Sequence, residues 1–260
     1  MALECCALRA HAHAHGGTAV QQAVLQALWS LAHHRPGCIE ALQAYGGLHL
    51  CLAALRQRPA DAGVQEWGLS LLWCAASHMG PRQRLAAAAA HDDALAALTA
   101  LPEVAGVQGV ALGLLHALSA EPRPCAAISA PAGLRAVCAS LGRHAQHAGV
   151  QRAGCAALST LAVAGGAATC SRIRAEGGVR VARAALRRFS DAEVVRAATA
   201  VLRALAAKLV PKPGEESPAP KTPVKPPAAR PQSPEPTAGD EAMGLAVGGV
   251  RLVDGKWVLV

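Results

Sequence analysis

Aromatic side chains are almost absent from this 260-residue chain, which has four tryptophans, one tyrosine and one phenylalanine. Alanine and leucine dominate instead, and this composition favours helices that pack closely through small residues. No uninterrupted apolar stretch reaches the roughly 20 residues that a membrane-spanning helix needs. The start of the chain also lacks the basic region, apolar stretch and cleavage site of a secretory signal. The sequence therefore predicts a soluble protein of the cytoplasm or the nucleus, with no transmembrane segment.

Motifs of catalysis and of metal binding are missing as well. The sequence has no G-x-S-x-G elbow, no glycine-rich phosphate loop with its lysine, and no H-E-x-x-H. The alternating histidines His11, His13 and His15 are not completed by carboxylates or cysteines, so they do not predict a metal site. We therefore expect neither an enzyme nor a bound cofactor or metal.

The nine cysteines form no C-x-x-C pair. Four of them lie at apolar positions of helical patterns, namely Cys51, Cys74, Cys138 and Cys155. Cysteines in such positions behave as small buried hydrophobic residues, and nothing in their spacing indicates a disulfide framework. This use of cysteine is typical of a reducing compartment.

A pattern that begins with V-Q and continues with alanine and leucine at helical spacing recurs along the chain. Successive copies start 44, 43, 43 and 44 residues apart. They begin at Val20, Val64, Val107, Val150 and Val194, and Val195 replaces the glutamine in the fifth copy. Self-similarity at a period of about 40 to 47 residues is typical of helical solenoids, in which each unit buries its apolar face against its neighbour.

A second block recurs between the V-Q segments, in which an apolar residue precedes glycine and a helix rich in apolar residues. Ile39 leads to Gly46, Ile128 to Gly133 and Ile173 to Gly177. Glycine between two helical patterns marks a left-handed cap or a close turn. Each unit is thus predicted to be a short helix, a glycine turn, a second helix, a polar link and a third helix that opens at V-Q.

Together the two blocks resemble the armadillo repeat, whose units read approximately I-x-x-x-G-G-I-x-x-L-x-x-L-L followed by V-Q-x-x-A-x-x-A-L-x-N-L-A. The resemblance covers about residues 3 to 208. It is weaker where the turn reads His91-Asp92-Asp93 after a run of alanines, and we expect a distorted repeat there.

Residues Leu3 to Arg9 resemble the end of a second helix, so the first unit is truncated. Either the chain is an isoform or part of a longer protein, or these residues form an irregular cap.

The resemblance implies an all-α fold, a right-handed α-solenoid of about four to five armadillo-type repeats. We place this domain at residues 1–208. Residues 209–244 are rich in proline and charge, cannot bury a core, and are predicted to be a disordered linker. In residues 245–260, the dipeptide Asp254-Gly255 predicts a β-hairpin of Val250 to Val253 and Lys256 to Leu259, or a docking tail.

One departure from the armadillo pattern bears on function. In the peptide-binding members of the family, an asparagine ladder on the third helix clamps an extended ligand, and a tryptophan four residues earlier flanks it. The aligned asparagine positions here are Ser30, Cys74, Ala117, Thr160 and Ala204, and the aligned tryptophan positions are Gln26, Ser70, Gly113, Ala156 and Ala200. Recognition of basic peptides in the manner of importins is therefore not expected, and a basic array would also repel such peptides.

Two tryptophans, Trp29 and Trp73, occupy one repeat position, at which His116, Ser159 and Arg203 follow in register. If this position faces the groove of the solenoid, the tryptophans can anchor a partner, and Trp29, Trp73, His116 and Arg203 are our candidate contacts. In the alternative interpretation, both indoles pack between neighbouring repeats as part of the core.

The net charge of +8 lies entirely on the repeats, because residues 211–260 carry six basic and six acidic side chains. Basic residues concentrate in the last repeat, where the candidate patch is Arg172, Arg174, Arg180, Arg183, Arg187 and Arg188. One interpretation is a site for an acidic partner surface, and the other is a solvated face that keeps the solenoid soluble.

The proline-rich segment contains short motifs of docking and modification. Ser217, Thr222 and Ser233 each precede proline and are candidate sites of proline-directed kinases. Pro220, Pro223 and Lys225 fit a P-x-x-P-x-K ligand of Src-homology-3 domains. The alternative is a plain linker, because such motifs arise by chance in proline-rich spacers.

These features favour a non-enzymatic scaffold that binds a protein partner along the solenoid groove. One alternative is association with nucleic acid or an acidic membrane surface through the basic last repeat. Another is that the chain is the C-terminal regulatory portion, or an isoform, of a larger and kinase-like protein.

Overall fold

The computed structural model describes residues 17–35, 37–207, 250–253 and 256–259. Contacts between Cα atoms divide the chain into two units, Met1–Pro213 and Gly214–Val260. The predicted truncated unit at Leu3 to Arg9 and the linker at 209–244 lie outside the described residues.

The described part of the first unit consists of helices of 7 to 17 residues. They are α1 (Thr18–His34), α2 (Gly37–Ala44), α3 (Gly47–Gln57), α4 (Ala62–Ala76), α5 (Met79–Ala87), α6 (Ala90–Ala100), α7 (Ala105–Leu118), α8 (Pro122–Ile128), α9 (Pro131–Arg143), α10 (Ala148–Ala164), α11 (Gly166–Ala175), α12 (Gly178–Arg188) and α13 (Ala192–Ala207). Among them, no single helix is both long enough and apolar enough to cross a membrane, although two bent pairs, α2 with α3 and α8 with α9, reach that length and composition together.

The helices follow one another in sets of three, and we number the sets as repeats. The first repeat is α2 to α4, the second α5 to α7, the third α8 to α10 and the fourth α11 to α13, while α1 is the third helix of a preceding unit. The third helices pack on one another most extensively, α1 on α4, α4 on α7, α7 on α10 and α10 on α13. This stacking confirms the predicted α-solenoid.

The V-Q motif joins the second and third helices of a repeat. In the first three repeats its valine is fully buried, and its glutamine amide is buried and donates two hydrogen bonds to carbonyl oxygens ten and seven residues earlier. Gln65 donates to Leu55 (2.8 Å) and Arg58 (3.1 Å), Gln108 to Leu98 (3.1 Å) and Leu101 (3.0 Å), and Gln151 to Leu141 (2.7 Å) and His144 (3.1 Å). These carbonyls belong to the end of the second helix, where intrahelical donors are missing. The motif is therefore a clamp within each of the first three repeats, and the fourth repeat has Val195 in place of the glutamine.

The turns before the second helices explain where the glycines fall. Gly46 and Gly177 have φ of +71° and +87°, a left-handed conformation that side chains with a Cβ rarely adopt. In the second repeat the same position is Ala89, with φ of +59°. The turn predicted at His91-Asp92-Asp93 is therefore wrong, because those residues form the first turn of α6 and the chain turns at Ala89. A left-handed alanine takes the place of the missing glycine and preserves the repeat.

Burial of the cysteines agrees with the sequence pattern. Cys51, Cys138 and Cys155 are buried and Cys74 is half-buried, each as a free thiol. Burial raises the pKa of the Cys138 thiol to about 11 and that of Cys155 to about 12. These thiols are neutral near pH 7 and serve as packing residues.

In the second unit, the described residues form two antiparallel strands, β1 (Val250–Val253) and β2 (Lys256–Leu259). Val253 pairs with Lys256 and Val250 with Leu259, which is the register that the hairpin prediction requires. Asp254 and Gly255 lie outside the described residues.

Candidate partner-binding groove

The third helices lie side by side and share one face, which we call the groove. Residues 2, 3, 6 and 9 positions after the V-Q valine lie on the same side of each helix, because an α-helix has 3.6 residues per turn. The opposite side carries the valine and the leucines that are buried between repeats. Successive third helices therefore align their groove residues in rows across the array.

The groove deepens into a cleft of about 370 Å³ across α4, α7, α10 and α13. Small residues form its floor, namely Gly113, Ala153, Ala156, Ala197 and Ala200. Trp73 and His116 lie on its lining from α4 and α7, and Arg152 and Arg196 from α10 and α13. The structure thus brings two of the predicted groove contacts, Trp73 and His116, to one cleft.

A second cleft, of about 590 Å³, shares Arg196 and Ala200 with the first. It is lined by Arg203, the third predicted groove contact, and by Val163, which is 68% exposed. The two clefts therefore form one continuous depression along α10 and α13.

Trp73 is half-buried and lies over Gly113 of the next repeat. A Cβ at Gly113 would be only 2.7 Å from two atoms of the indole, so only glycine leaves room for the ring in this position. The indole thus packs against the neighbouring repeat and also lines the cleft. Each of the two interpretations of Trp73 therefore holds for part of its side chain. One part packs between repeats, and another part lines the groove.

Trp29, the fourth predicted contact, lies apart from the cleft. Its ring stacks on His33 at 5.2 Å with an interplanar angle of 19°, and it meets Trp67 of α4 at 5.3 Å in a tilted arrangement. Such aromatic pairs stabilise a junction beyond the area they bury. Trp29 is half-buried, and its described ring contacts join α1 to the first repeat.

His116 is half-buried on the lining of the cleft, next in register to Trp73. Burial lowers the pKa of its imidazole below the usual value, because the apolar surroundings disfavour the charged form. Near neutral pH it is therefore an uncharged ring that both donates and accepts hydrogen bonds.

Charge changes sign along the groove. The row two residues after the V-Q valine is Gln22, Glu66, Gly109, Arg152 and Arg196, from α1 to α13. Arg196 forms an ion pair with Glu193, whereas Arg152 is exposed and has no ion pair among residues 17–35 and 37–207. The fourth-repeat end of the groove is therefore its basic end.

A backbone clamp is absent from the groove. The 260-residue chain contains no asparagine, and the aligned ladder positions are Ser30, Cys74, Ala117, Thr160 and Ala204. Ala117 and Ala204 offer neither donor nor acceptor, so these positions do not form the continuous ladder that clamps an extended peptide.

The structure divides the predicted basic patch into two parts. Arg172 donates to the carbonyl of Ser129 at 3.4 Å, and Arg174 donates to the carbonyl of Leu205 near the end of α13. The other four arginines lie on α12 and are exposed: Arg180, Arg183, Arg187 and Arg188. No ion pair involves any of these four within residues 37–207.

Several predicted sites cannot be placed. Ser217, Pro220, Thr222, Pro223, Lys225 and Ser233 lie outside the described residues, so docking or phosphorylation there stays a prediction. Within the described part of the chain, no group of three histidine, cysteine or acidic side chains is arranged to hold a metal ion.

Reasoning from the sequence missed the residues on which the cleft depends. Gly113 had been aligned only as a substitute for the family's tryptophan, yet its missing Cβ is what admits Trp73. Arg152 was not predicted, and Arg196 was not assigned to the groove, because both lie seven residues before the repeat position of Trp73 and Arg203. Tabulating every groove row by repeat would have revealed both.

No protein-family model matches this sequence, and no curated protein matches it either. Among solved structures, the chain is similar to the designed armadillo repeat protein YIII(Dq)4CqI, with a TM-score of 0.66 and 18% sequence identity. The similarity covers 80% of this chain and 82% of that one. Identity at this level shows the fold alone. The stacked three-helix units and the V-Q clamps agree with it, so the chain has the armadillo-like helical repeat fold.

Proposed function

We propose that this protein is a non-enzymatic interaction scaffold that binds a protein partner in the groove. The observation that carries the proposal is the cleft formed jointly by four successive third helices, α4, α7, α10 and α13. A concave surface of this kind is what repeat arrays use for binding extended partners. The armadillo-like fold is commonly an interaction scaffold, which supports the same conclusion.

Side-chain contacts, not backbone clamping, hold the partner. The floor of glycine and alanine leaves space for large apolar side chains, and Trp73 offers an indole on the lining of the cleft. Aromatic anchors in partly desolvated pockets dominate binding energies. The partner therefore inserts apolar side chains into the cleft beside Trp73.

The arginines on the cleft linings favour a partner that carries carboxylates. Arg152 and Arg203 lie on the linings of the two clefts without ion pairs inside the described repeats. Opposite charges across an interface increase association rates and exclude wrong partners. A basic peptide would meet like charge at this end of the groove.

The test uses the full chain as bait with a variant that fills the cleft, Ala156→Trp. Proteins captured from cell extract are quantified by mass spectrometry, and each candidate is then made recombinantly and its affinity measured by calorimetry. We expect Ala156→Trp to weaken binding of the direct partner at least about tenfold, because a bulky ring blocks the floor.

The matched control is Met79→Trp, which adds an indole at an exposed position of α5, outside the groove. Unchanged melting temperatures of both variants show that the fold is intact. If no purified partner distinguishes Ala156→Trp from Met79→Trp, the groove is not the binding site.

A further inference from the structure

Each junction between successive repeats contains an ion pair with the same polarity. The earlier repeat supplies an arginine and the later one a carboxylate. The pairs are Arg56 with Asp93 (2.8 Å), Arg82 with Glu121 (2.9 Å) and Arg135 with Glu176 (3.3 Å). The second junction also contains a pair of the opposite polarity, Arg143 of the third repeat with Glu103 of the second. At all three junctions, however, an arginine of the earlier repeat contacts a carboxylate of the repeat that follows.

The fourth repeat has arginines at two of these three receiving positions. When the second helices are aligned on Gly47, Gly133 and Gly178, Arg180 corresponds to Arg135 and Arg187 corresponds to Arg56. Both side chains are exposed, and neither forms an ion pair within residues 37–207. The receiving arginines are present, but no described repeat follows them.

Carboxylates within the fourth repeat do not neutralise these arginines. Glu176 pairs with Arg135 of the third repeat, and Glu193 pairs with Arg196. Asp191 caps α13, where its Oδ1 accepts from the backbone N–H of Val194 at 3.0 Å. The positive charge on α12 is therefore available to a carboxylate from outside the described residues.

The burial of side chains in the fourth repeat also differs from that in the first three repeats. Five positions are buried in the first three repeats and half-exposed in the fourth, where they are Val179, Leu186, Val195, Thr199 and Leu202. In the third repeat the corresponding residues include Leu134, Leu141 and Leu158, which are 0%, 1% and 0% exposed. We call these five positions, together with Arg180 and Arg187, the end face.

We propose that the end face binds a protein partner through a helical surface that carries apolar side chains flanked by carboxylates. The partner surface resembles that of a following repeat. The end face has arginines and apolar side chains at the positions where an earlier repeat contacts the repeat that follows it. Beside its exposed arginines, this face carries the half-exposed apolar side chains Val179, Leu186 and Leu202, which a polar capping repeat would not have. Complementary charge sets the orientation of the partner.

This surface differs from the groove and does not depend on the proposed function. Val179, Leu186, Arg180 and Arg187 belong to α12, a second helix, whereas the groove is formed by third helices. Of the three end-face residues on α13, Thr199 also lines the second cleft. Phosphate groups of nucleic acid or lipid would satisfy the arginines but not the apolar half of the face, so the combination favours a protein.

The probe is a fluorescein-labelled peptide of residues 79–207, the second to fourth repeats, because an array needs about three stacked repeats for stability. Without the first repeat it exposes Asp93, the carboxylate that meets Arg56, and it carries Arg187→Asp so that it does not bind itself. Circular dichroism verifies that it is folded. The full chain is titrated into the peptide, and binding is followed by fluorescence anisotropy. We expect saturable binding that Arg187→Asp weakens about fivefold or more, since a favourable contact becomes repulsive. Asp93→Arg in the peptide should recover most of that loss.

The control variant is Arg152→Asp, which changes charge by the same amount but lies in the groove on α10, away from the end face. It should leave peptide binding unchanged, as should Ala156→Trp. The proposal is overturned by an absence of saturable binding, by equal losses for Arg187→Asp and Arg152→Asp, or by failure of the exchanged charge pair to recover affinity.

Two further measurements separate other occupants. Sedimentation velocity of the full chain over a range of concentrations detects self-association, and a dimer that Arg187→Asp abolishes would make a second copy the occupant instead. A short DNA duplex is added as competitor, and displacement of the peptide by tighter, Arg187-dependent DNA binding would assign the face to phosphates. We expect a monomer and no such displacement.

Discussion

The second and fourth repeats have the same three helices, yet they differ wherever a repeat meets its neighbour. The second repeat is enclosed on both sides, and there Gln108 is buried and Gly113 receives Trp73. In the fourth repeat the corresponding residues are Val195 and Ala200, both half-exposed. The core leucines maintain the fold of a repeat, whereas its junction residues are adapted to what packs on it.

The turns of these two repeats differ in a related way. The fourth repeat turns at Gly177 with φ of +87°, and the second turns at Ala89 with φ of +59°. A left-handed residue with a Cβ costs roughly 1–2 kcal/mol. The second repeat tolerates this strain because extensive packing on both sides over-determines its position.

Converting Gln108 to valine, the residue type of position 195, should cause the largest effect, a loss of about 3 kcal/mol in the free energy of unfolding. The substitution removes the hydrogen bonds to Leu98 and Leu101 and leaves two carbonyl oxygens at a buried helix end without their donor. Urea unfolding followed by circular dichroism measures the change.

The reverse substitution, Val195→Gln, is the control, and it should change stability by less than about 1 kcal/mol because the site is half-exposed. Equal losses at the two positions would show that the glutamine clamp is not what distinguishes the enclosed repeat from the end repeat.

Gly113→Ala should be next, with a loss of about 2 kcal/mol, because the new methyl group would overlap the Trp73 ring. The double variant Gly113→Ala with Trp73→Ala should lose less than the sum of the single losses, since truncating the indole removes the overlap. Ala200→Gly in the fourth repeat costs only the intrinsic helix preference, roughly 1 kcal/mol. Strict additivity of the two losses in the double variant would contradict the proposed packing of the Trp73 ring on Gly113.

Ala89→Gly should stabilise the protein by about 0.5–1 kcal/mol, because glycine removes the left-handed strain but costs some chain entropy. Gly177→Ala, the matched change in the fourth repeat, should destabilise it by about 1 kcal/mol. Melting temperatures of the two variants should therefore move in opposite directions, and a parallel shift would mean that the backbone strain does not govern these turns.

The order of helices was predictable from the sequence because the V-Q valines and the leucines that follow recur with one period. Every predicted third helix is present, and in α4, α7 and α10 the V-Q valine and the leucines that follow it are buried at the same register. These positions depend only on local periodicity and on burial, both of which a sequence displays directly. The strand pairing of Val250 with Leu259 was predictable from the turn-forming dipeptide Asp254-Gly255.

What the sequence did not reveal depends on contacts between repeats. The turn of the second repeat lies within five consecutive alanines, residues 86–90, where no glycine marks the left-handed position. The location of Trp73 depends on a glycine 40 residues later in the chain, and their contact exists only once repeats stack. The exposure of Leu202, whose equivalents are buried, likewise reflects its position at the end of the described array.

Lowering the pH should destabilise the protein through the second repeat, with the smallest effect of the series. The pKa values of His91 and His116 are both lowered, in each case mainly by burial; at His91, Asp92 and Asp93 oppose the shift and Arg123 adds to it. The unfolded chain, with histidine pKa near 6.5, thus binds more protons than the folded one below that pH. The stability contributed by the neutral rings is complete above about pH 7 and declines as the pH falls through 6.5 toward the folded pKa values.

Urea unfolding at pH 7.5 and 5.5 measures this decline. It should shrink in the double variant His91→Leu with His116→Ser, which has residue types that the third repeat uses at these positions, Leu134 and Ser159. An identical decline in that variant would assign the pH dependence to other groups.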